Sequence, residues 1–376
     1  MSRIYLDNAA TTPLDNVVLD AMMPYLTEHF GNASSIHSFG RASRIAIEKS
    51  RKEIAQIMNA RPGEIFFTSC GTESTNTVLH SAVRDLGCKH IITSPIEHHA
   101  TLHTAEFLAS LGLCKVSKVN LTQDGHIDYV DLERLLAESN EQTIVTLMHA
   151  NNEIGNITDI QYVGDLCKKY NALFHSDTVQ TIAHYKFDLE KLPVDFLSGS
   201  AHKFNGPKGS GILFIRSGIQ IKPFIHGGSQ ERNMRSGTEN IANIVGFAKA
   251  LEIATLHYEE DKVYIQSLKN AMIEQLMAQI PSIQFHGDIS DKSLYTVLNA
   301  CFPLNNKTEM LSINLDVAGI AVSGGSACSS GAQGGSHVIK SVYPHQTSVP
   351  IRFSFSKHNT FEEIDLVVKK IVDLLN

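Results

Sequence analysis

The chain of 376 residues lacks the features that mark several classes of protein. It has no tryptophan, and its 32 Lys and Arg are outnumbered by 39 Asp and Glu. The resulting formal net charge of -7 argues against a protein that neutralises the phosphates of a nucleic acid. No apolar run approaches the roughly 18 residues that a membrane-spanning helix needs. The apolar share, 43%, is that of a globular protein and excludes general disorder.

Cysteine is also scarce, and this bears on the compartment. The six cysteines are scattered without a CxxC pair, so they do not form a dense disulfide framework. A chain of this length buries a core without disulfides, and scattered thiols indicate a reducing compartment. The first eight residues have no apolar stretch behind their single positive charge, unlike a signal peptide. We therefore expect a cytoplasmic protein.

Short apolar runs typical of strands alternate with helical patterns through the first two thirds of the chain. The runs lie at residues 64–67, 90–93, 143–147, 172–175 and 211–216, and the helical patterns at 72–83, 100–111 and 160–170. This alternation predicts an α/β fold with a mostly parallel sheet covered by helices. Residues 239–280 are helical in pattern, strand-like runs return afterwards, and the chain closes on an amphipathic helix. We expect a large domain at residues 14–255 and a smaller α+β domain from residues 1–13 and 256–376.

The segment at residues 200–209, Ser-Ala-His-Lys-Phe-Asn-Gly-Pro-Lys-Gly, follows a predicted strand at 194–197. Its Lys203 therefore lies where a strand opens into a loop, a common place for functional groups in α/β sheets. Such a lysine can form a Schiff base if its surroundings help it to lose a proton near neutral pH. The alternative is a solvated turn in which Gly and Pro only mark the end of the strand.

Two further segments extend this interpretation to a cofactor site. Asp177 ends another apolar run, and a carboxylate there can hold a pyridinium nitrogen protonated; a capping Asp is the alternative. The turn at residues 70–74, Cys-Gly-Thr-Glu-Ser, precedes a predicted helix whose free N–H groups could bind a phosphate. Ordinary capping of that helix by Ser69 or Thr72 is the alternative there.

Histidines and an asparagine follow two other predicted strands. His98 could lie flat on an aromatic cofactor and act as acid or base. His99 and His103 are spaced as on one helix face, but no HExxH arrangement and no nearby cysteine completes a metal site, so we expect no metal. Asn152 could donate to a bound ring or make an Asx turn.

Cys328 differs from the other cysteines because glycines and serines surround it. An exposed thiol in such a segment is a liability unless its chemistry is used, although an incidental surface cysteine remains the alternative. Arg352 lies in a strand-like run near the end of the chain. It is either paired structurally or available as a bidentate clamp for a carboxylate.

Taken together, these segments resemble the cysteine desulfurases of the NifS/IscS kind, which are class V, fold-type-I pyridoxal phosphate enzymes. The resemblance runs from Tyr-Leu-Asp-Asn-Ala-Ala-Thr-Thr-Pro at residues 5–13 to the final helix. It includes residues 31–37, the 70–74 turn, Glu97-His98, residues 151–155, Asp177 with Gln180, residues 200–209, 227–231 and 235–238, and Ser-Ala-Cys-Ser-Ser at 326–330.

The resemblance implies roles for individual residues. Lys203 would bind the cofactor covalently, Asp177 would pair with the pyridinium nitrogen, Gln180 would bind the ring oxygen and His98 would stack on the ring. The phosphate would be held by Gly71, Thr72, Ser200 and His202, with Thr238 reaching over from a second subunit of a homodimer. Asn152 and Arg352 would hold the carboxylate of L-cysteine, and Cys328 would take the sulfur as a persulfide.

The resemblance also leaves choices open. The sulfur acceptor could be an iron–sulfur scaffold protein, general or specialised, or a tRNA-thiolation system. A selenocysteine lyase or another class V aminotransferase would share Lys203 and Asp177 without needing Cys328. A non-catalytic subunit of the same fold that only binds partners is a third alternative.

Overall fold

A computed structural model describes residues 3–324 and 335–376. Its α-helices are α1 (Asn16–Thr27), α2 (Ser38–Ile57), α3 (Gly71–Arg84), α4 (His99–Ser110), α5 (Tyr129–Ala137), α6 (Ile160–Lys169), α7 (Gln230–Asn233), α8 (Ile241–Leu256), α9 (Tyr258–Gln279), α10 (Asn306–Glu309), α11 (Leu311–Val317), α12 (His337–Val342) and α13 (Phe361–Leu375). Its strands are β1 (Ile4–Tyr5), β2 (Ile65–Thr68), β3 (His90–Thr93), β4 (Lys115–Lys118), β5 (Thr143–Met148), β6 (Leu173–Asp177), β7 (Phe196–Ser200), β8 (Gly211–Ile215), β9 (Gln284–His286), β10 (Val297–Pro303), β11 (Ile320–Ala321) and β12 (Ser348–Ser354).

A seven-stranded sheet, in the order β2-β8-β7-β6-β5-β3-β4, forms the centre of the fold. The strands from β7 to β4 run parallel to their neighbours, whereas β8 is antiparallel to both β7 and β2. Adjacent residues of β5 pack in different apolar clusters, Ile144 with α3 and α4 and Val145 with α6. Because successive side chains point to opposite faces, helices cover both faces of this sheet. The predicted α/β class with a mostly parallel, helix-covered sheet is confirmed.

The final helix shows how closely the apolar pattern describes the packing. Thr360 begins α13 with a capping box, since its side chain accepts from the Glu363 N–H. Ile364 and Ile371 are fully buried on one face, as their spacing predicts. The first helical residue, Phe361, is by contrast 42% exposed.

A second apolar cluster lies outside the large sheet. It combines Ile4 and Leu6 with residues between Ile265 and Ile371, around the sheet β12-β10-β9. The largest apolar cluster packs against the seven-stranded sheet. Its buried members end, in sequence, at Leu251 in α8. These separate cores support the division that we propose, with residues 14–255 in one domain and residues 1–13 and 256–376 in the other.

None of the helices within residues 3–324 and 335–376 combines the length and apolarity required to cross a bilayer.

Candidate active site

The residues singled out in the sequence meet at one edge of the large sheet. The parallel strands β3, β5, β6 and β7 lead respectively to His98, Asn152, Asp177 and Lys203. Because parallel strands present their carboxyl ends at the same edge, these side chains converge there. They line a cavity of about 270 Å³, together with Gly71, Thr72, Gln180, Ser200, His202 and Arg352.

Lys203 lies on a short 3₁₀ turn that follows β7 directly. Strand β7 reaches Ser200, beyond the predicted end at residue 197, so the lysine is attached closely to the sheet. The Lys203 Nζ donates to the carbonyl oxygens of Ala9, at 2.6 Å, and Ala10, at 2.8 Å. The N-terminal segment therefore forms part of the site.

Asp177 is the last residue of β6 and is 9% exposed. Burial raises its pKa to about 6, although the Val179 N–H, which donates to Oδ1 at 2.9 Å, and the charge of Lys203 act in the opposite direction. A carboxyl group in such a setting is stabilised as an anion by a positive partner. It is therefore suited to a protonated ring nitrogen.

His98 is the N-cap of α4, and its Nδ1 accepts from the Ala100 N–H at 3.1 Å. Burial, and to a smaller extent the positive charge of Lys203, lower its pKa to about 4. The ring is consequently neutral at neutral pH, and because Nδ1 is an acceptor its hydrogen lies on Nε2.

The expected phosphate turn begins α3. Its N-cap is Cys70, whose side chain makes no capping hydrogen bond, so neither Ser69 nor Thr72 caps this helix. A Cβ atom on Gly71 would lie only 2.5 Å from Val179 Cγ2, so the start of the helix approaches Val179 closely and glycine suits this position. The helix N-terminus thus presents backbone N–H groups to the cavity that Thr72, Ser200 and His202 also line.

Gln180 and Arg352 line the cavity, and both also make hydrogen bonds to other residues of the chain. Gln180 Nε2 donates to the Ala9 carbonyl at 3.0 Å. Arg352 is 1% exposed; its Nη2 contacts Asp7 Oδ1 at 2.7 Å, and its Nη1 donates to the Asn152 carbonyl at 3.0 Å. The structure therefore shows that Arg352 is paired and that it also borders the cavity.

Three residues that the sequence argument did not assign belong to this neighbourhood: Asp7, Ala9 and Ala10. Ala9 and Ala10 contribute backbone carbonyls, which cannot be recognised from a pattern of side chains. The only sequence signal was their place in the quoted segment at residues 5–13.

One expected site residue lies elsewhere. Thr238 is exposed and borders a different cavity, beside Arg235 and Asn240. Cys328 lies outside the described residues. His99 and His103 stack with ring centroids 4.7 Å apart, but no group of three possible metal ligands occurs within the ranges that the structure describes.

The residues present fit pyridoxal phosphate. A buried carboxyl, a primary amine and a neutral imidazole border the same cavity as the N-terminus of α3. These groups complement a pyridinium nitrogen, an aldehyde, an aromatic ring and a phosphate respectively.

Comparison with known proteins agrees with this arrangement. Residues 4–367 match the model of the family described as aminotransferase class V. The cysteine desulfurase IscS of Dictyoglomus turgidum is 41% identical over 99% of this chain and 95% of its own length, and that of Methanosarcina thermophila is 41% identical over 99% and 92%.

Solved structures are similar over the same extent. A NifS-like protein superposes with a TM-score of 0.91 at 39% identity, covering 99% of both chains. A structure of SspA in complex with cysteine has a TM-score of 0.79 at 28% identity, over 95% of this chain and 100% of that one. The chain thus belongs to the pyridoxal phosphate-dependent class V aminotransferase family, within its cysteine desulfurases of the NifS/IscS kind.

Proposed function

We propose that this protein converts L-cysteine to L-alanine and keeps the sulfur as a persulfide on Cys328 for transfer to an acceptor. The observation that carries the proposal is the cavity in which Lys203, Asp177, His98 and the N-terminus of α3 converge. The curated relatives named cysteine desulfurase, which cover nearly the whole chain, support the same activity.

Different residues of the cavity transfer the proton and orient the substrate. Bound pyridoxal phosphate supplies an electron sink that makes the substrate Cα–H acidic. Lys203 Nζ accepts that proton, and the carbonyls of Ala9 and Ala10 stabilise the resulting ammonium because they already accept hydrogen bonds from it. Ionised Asp177 keeps the ring nitrogen protonated, while Arg352 and Asn152 orient the substrate carboxylate.

The sulfur transfer balances without an external oxidant. The Cys328 thiolate attacks the substrate sulfur, an S–S bond forms, and the substrate C–S bond breaks with its electron pair going to carbon. Protonation of that carbon, Cβ, and return of a proton from the Lys203 ammonium to Cα complete L-alanine. The role of Cys328 rests on the sequence, where Ser-Ala-Cys-Ser-Ser matches the family pattern.

The direct test uses the purified protein with bound cofactor. L-Cysteine and a reductant should yield alanine and sulfide in equal amounts, and borohydride should bleach the yellow cofactor by reducing its bond to Lys203. A colourless protein that gains no colour with added pyridoxal phosphate would refute the proposal, as would activity on selenocysteine alone.

A homodimer is part of the proposal, and the surface near the N-terminus supports it. Exposed apolar side chains concentrate in α1, α2 and the segment that joins them, with Ile36 89% and Phe30 73% exposed. Further members are Val17, Leu19, Met23, Leu26, Phe39 and Ile45. A concentration of this kind marks a surface that another protein covers. We propose a second copy as that protein, because the family resemblance assigns Thr238 to the cofactor site of a second subunit.

Ile36→Glu should shift the protein from dimer to monomer in analytical ultracentrifugation, because dimer formation would then bury a carboxylate. Val130→Glu is the matched control, since Val130 is 80% exposed on α5. A wild-type monomer, or an equal effect of both substitutions, would contradict this interface.

We also propose a cytoplasmic location and a protein as the sulfur acceptor. The thiols of Cys70, Cys88, Cys114, Cys167 and Cys301 are all free, which supports a reducing, cytoplasmic setting. A protein such as an iron–sulfur scaffold is the proposed acceptor. Incubating the persulfide-loaded enzyme with a purified scaffold should move labelled sulfur to it, and no transfer would argue against that acceptor.

A further inference from the structure

Asp7 connects the N-terminal segment to the arginine of the cavity. Its Oδ1 accepts from Arg352 Nη2 at 2.7 Å and from the Ser323 hydroxyl at 2.9 Å. The Arg352 side chain is 1% exposed and that of Asp7 is 19% exposed, so water competes little for this ion pair.

The backbone holds Asp7 and Arg352 in register. Asp7 forms a β-bridge with Ser354, two residues after Arg352 on β12, and the Ser354 N–H donates to the Leu6 carbonyl at 2.8 Å. Ser323 forms a second β-bridge, with Arg352 itself, on the same edge of β12, the edge that does not pair with β10. The Asp7 carboxylate thus approaches the guanidinium from a position that two strand contacts define.

The guanidinium retains donors for a ligand. Nη2 contacts Asp7 and Nη1 contacts the Asn152 carbonyl, while Nε has no partner within the part of the chain that the structure describes. A guanidinium carries five N–H donors in a rigid plane, so contacts at one side determine where the remaining donors point.

We infer that Asp7 is a positioning residue for the substrate carboxylate, acting through the orientation of Arg352. This inference rests on the proposed function, because it requires an amino acid in the cavity. Without the Asp7 acceptor, the guanidinium loses one of its two contacts on the described chain and can rotate. The carboxylate then meets donors that are no longer aligned for a bidentate hydrogen bond.

The test measures binding of L-alanine and of ethylamine to the enzyme with bound cofactor, through the change in cofactor absorbance. Ethylamine has the amine and carbon chain of alanine but no carboxylate. Asp7→Ala should weaken L-alanine by about tenfold or more and leave ethylamine within about twofold. Asp7→Asn keeps an oxygen acceptor at the same position and should restore L-alanine binding to within about threefold of wild type.

Ser323→Ala provides the matched control, because it removes the other group bound to Asp7 Oδ1 and leaves the Arg352 contact in place. It should bind both ligands as wild type does. An unchanged alanine affinity in Asp7→Ala, an equal loss for alanine and ethylamine, or an Asp7→Asn variant as weak as Asp7→Ala would overturn the inference. A wild-type protein that responds to neither ligand would instead count against the proposed function.

Discussion

Replacing Lys203 by alanine is expected to lower desulfurase turnover by at least about 100-fold and to abolish covalent attachment of the cofactor. Lys203 is the only lysine among the described residues that line the cavity, and its amine is held by two carbonyls. No other described primary amine is therefore placed to take the substrate proton. Turnover is measured as alanine formed, and attachment as cofactor retained after borohydride reduction and denaturation.

Lys208→Ala is the control for this substitution. Lys208 belongs to the same Gly- and Pro-containing segment but is exposed, so its removal changes the local charge without affecting the cavity amine. Comparable activity of Lys203→Ala and wild type would exclude Lys203 as the catalytic amine. Retained covalent cofactor in Lys203→Ala would point to another lysine.

Replacing Cys328 by alanine should reduce sulfide release to the level measured without enzyme, while the bound cofactor and its absorbance remain. The reason is chemical: without a thiolate to attack the substrate sulfur, the C–S bond has no acceptor for its sulfur. In the wild type, L-cysteine without reductant should add one sulfur atom to the peptide that contains Cys328, as read by mass spectrometry.

Cys70 is the appropriate comparison because it is the cysteine that borders the cavity within the described ranges. Its side chain makes no capping bond, so Cys70→Ala should fold and should keep sulfide release close to wild type. Loss of release in Cys70→Ala together with normal release in Cys328→Ala would transfer the sulfur-accepting role to Cys70.

The sequence predicted the parts of the site that follow from strand ends. Asp177 and Lys203 each follow an apolar run, and parallel strands bring such positions to one edge. The helix N-terminus at Gly71 was recognisable for a different reason, since small and hydroxyl residues lie between a strand and a helix.

Other contacts were beyond sequence reasoning for physical reasons. The carbonyls of Ala9 and Ala10 act through the backbone, which every residue has. The pairing of Asp7 with Arg352 joins residues far apart in the chain, and neither one alone indicates the other. The sequence therefore left two interpretations of Arg352 open. Its pairing with Asp7 became visible only in the packing of β12 against the N-terminal segment.

Ala9, which accepts a hydrogen bond from Lys203, is itself held by a strand that is synthesised late, β12. Ala9 is tied to this last strand, because its N–H donates to the Ser354 side chain at 2.9 Å. The contact between Ala9 and Ser354 cannot form until Ser354 has been synthesised. Lys203 and Asp177 are synthesised well before Ser354, so the segment that carries the Lys203 acceptors gains this anchor later than the lysine that it contacts.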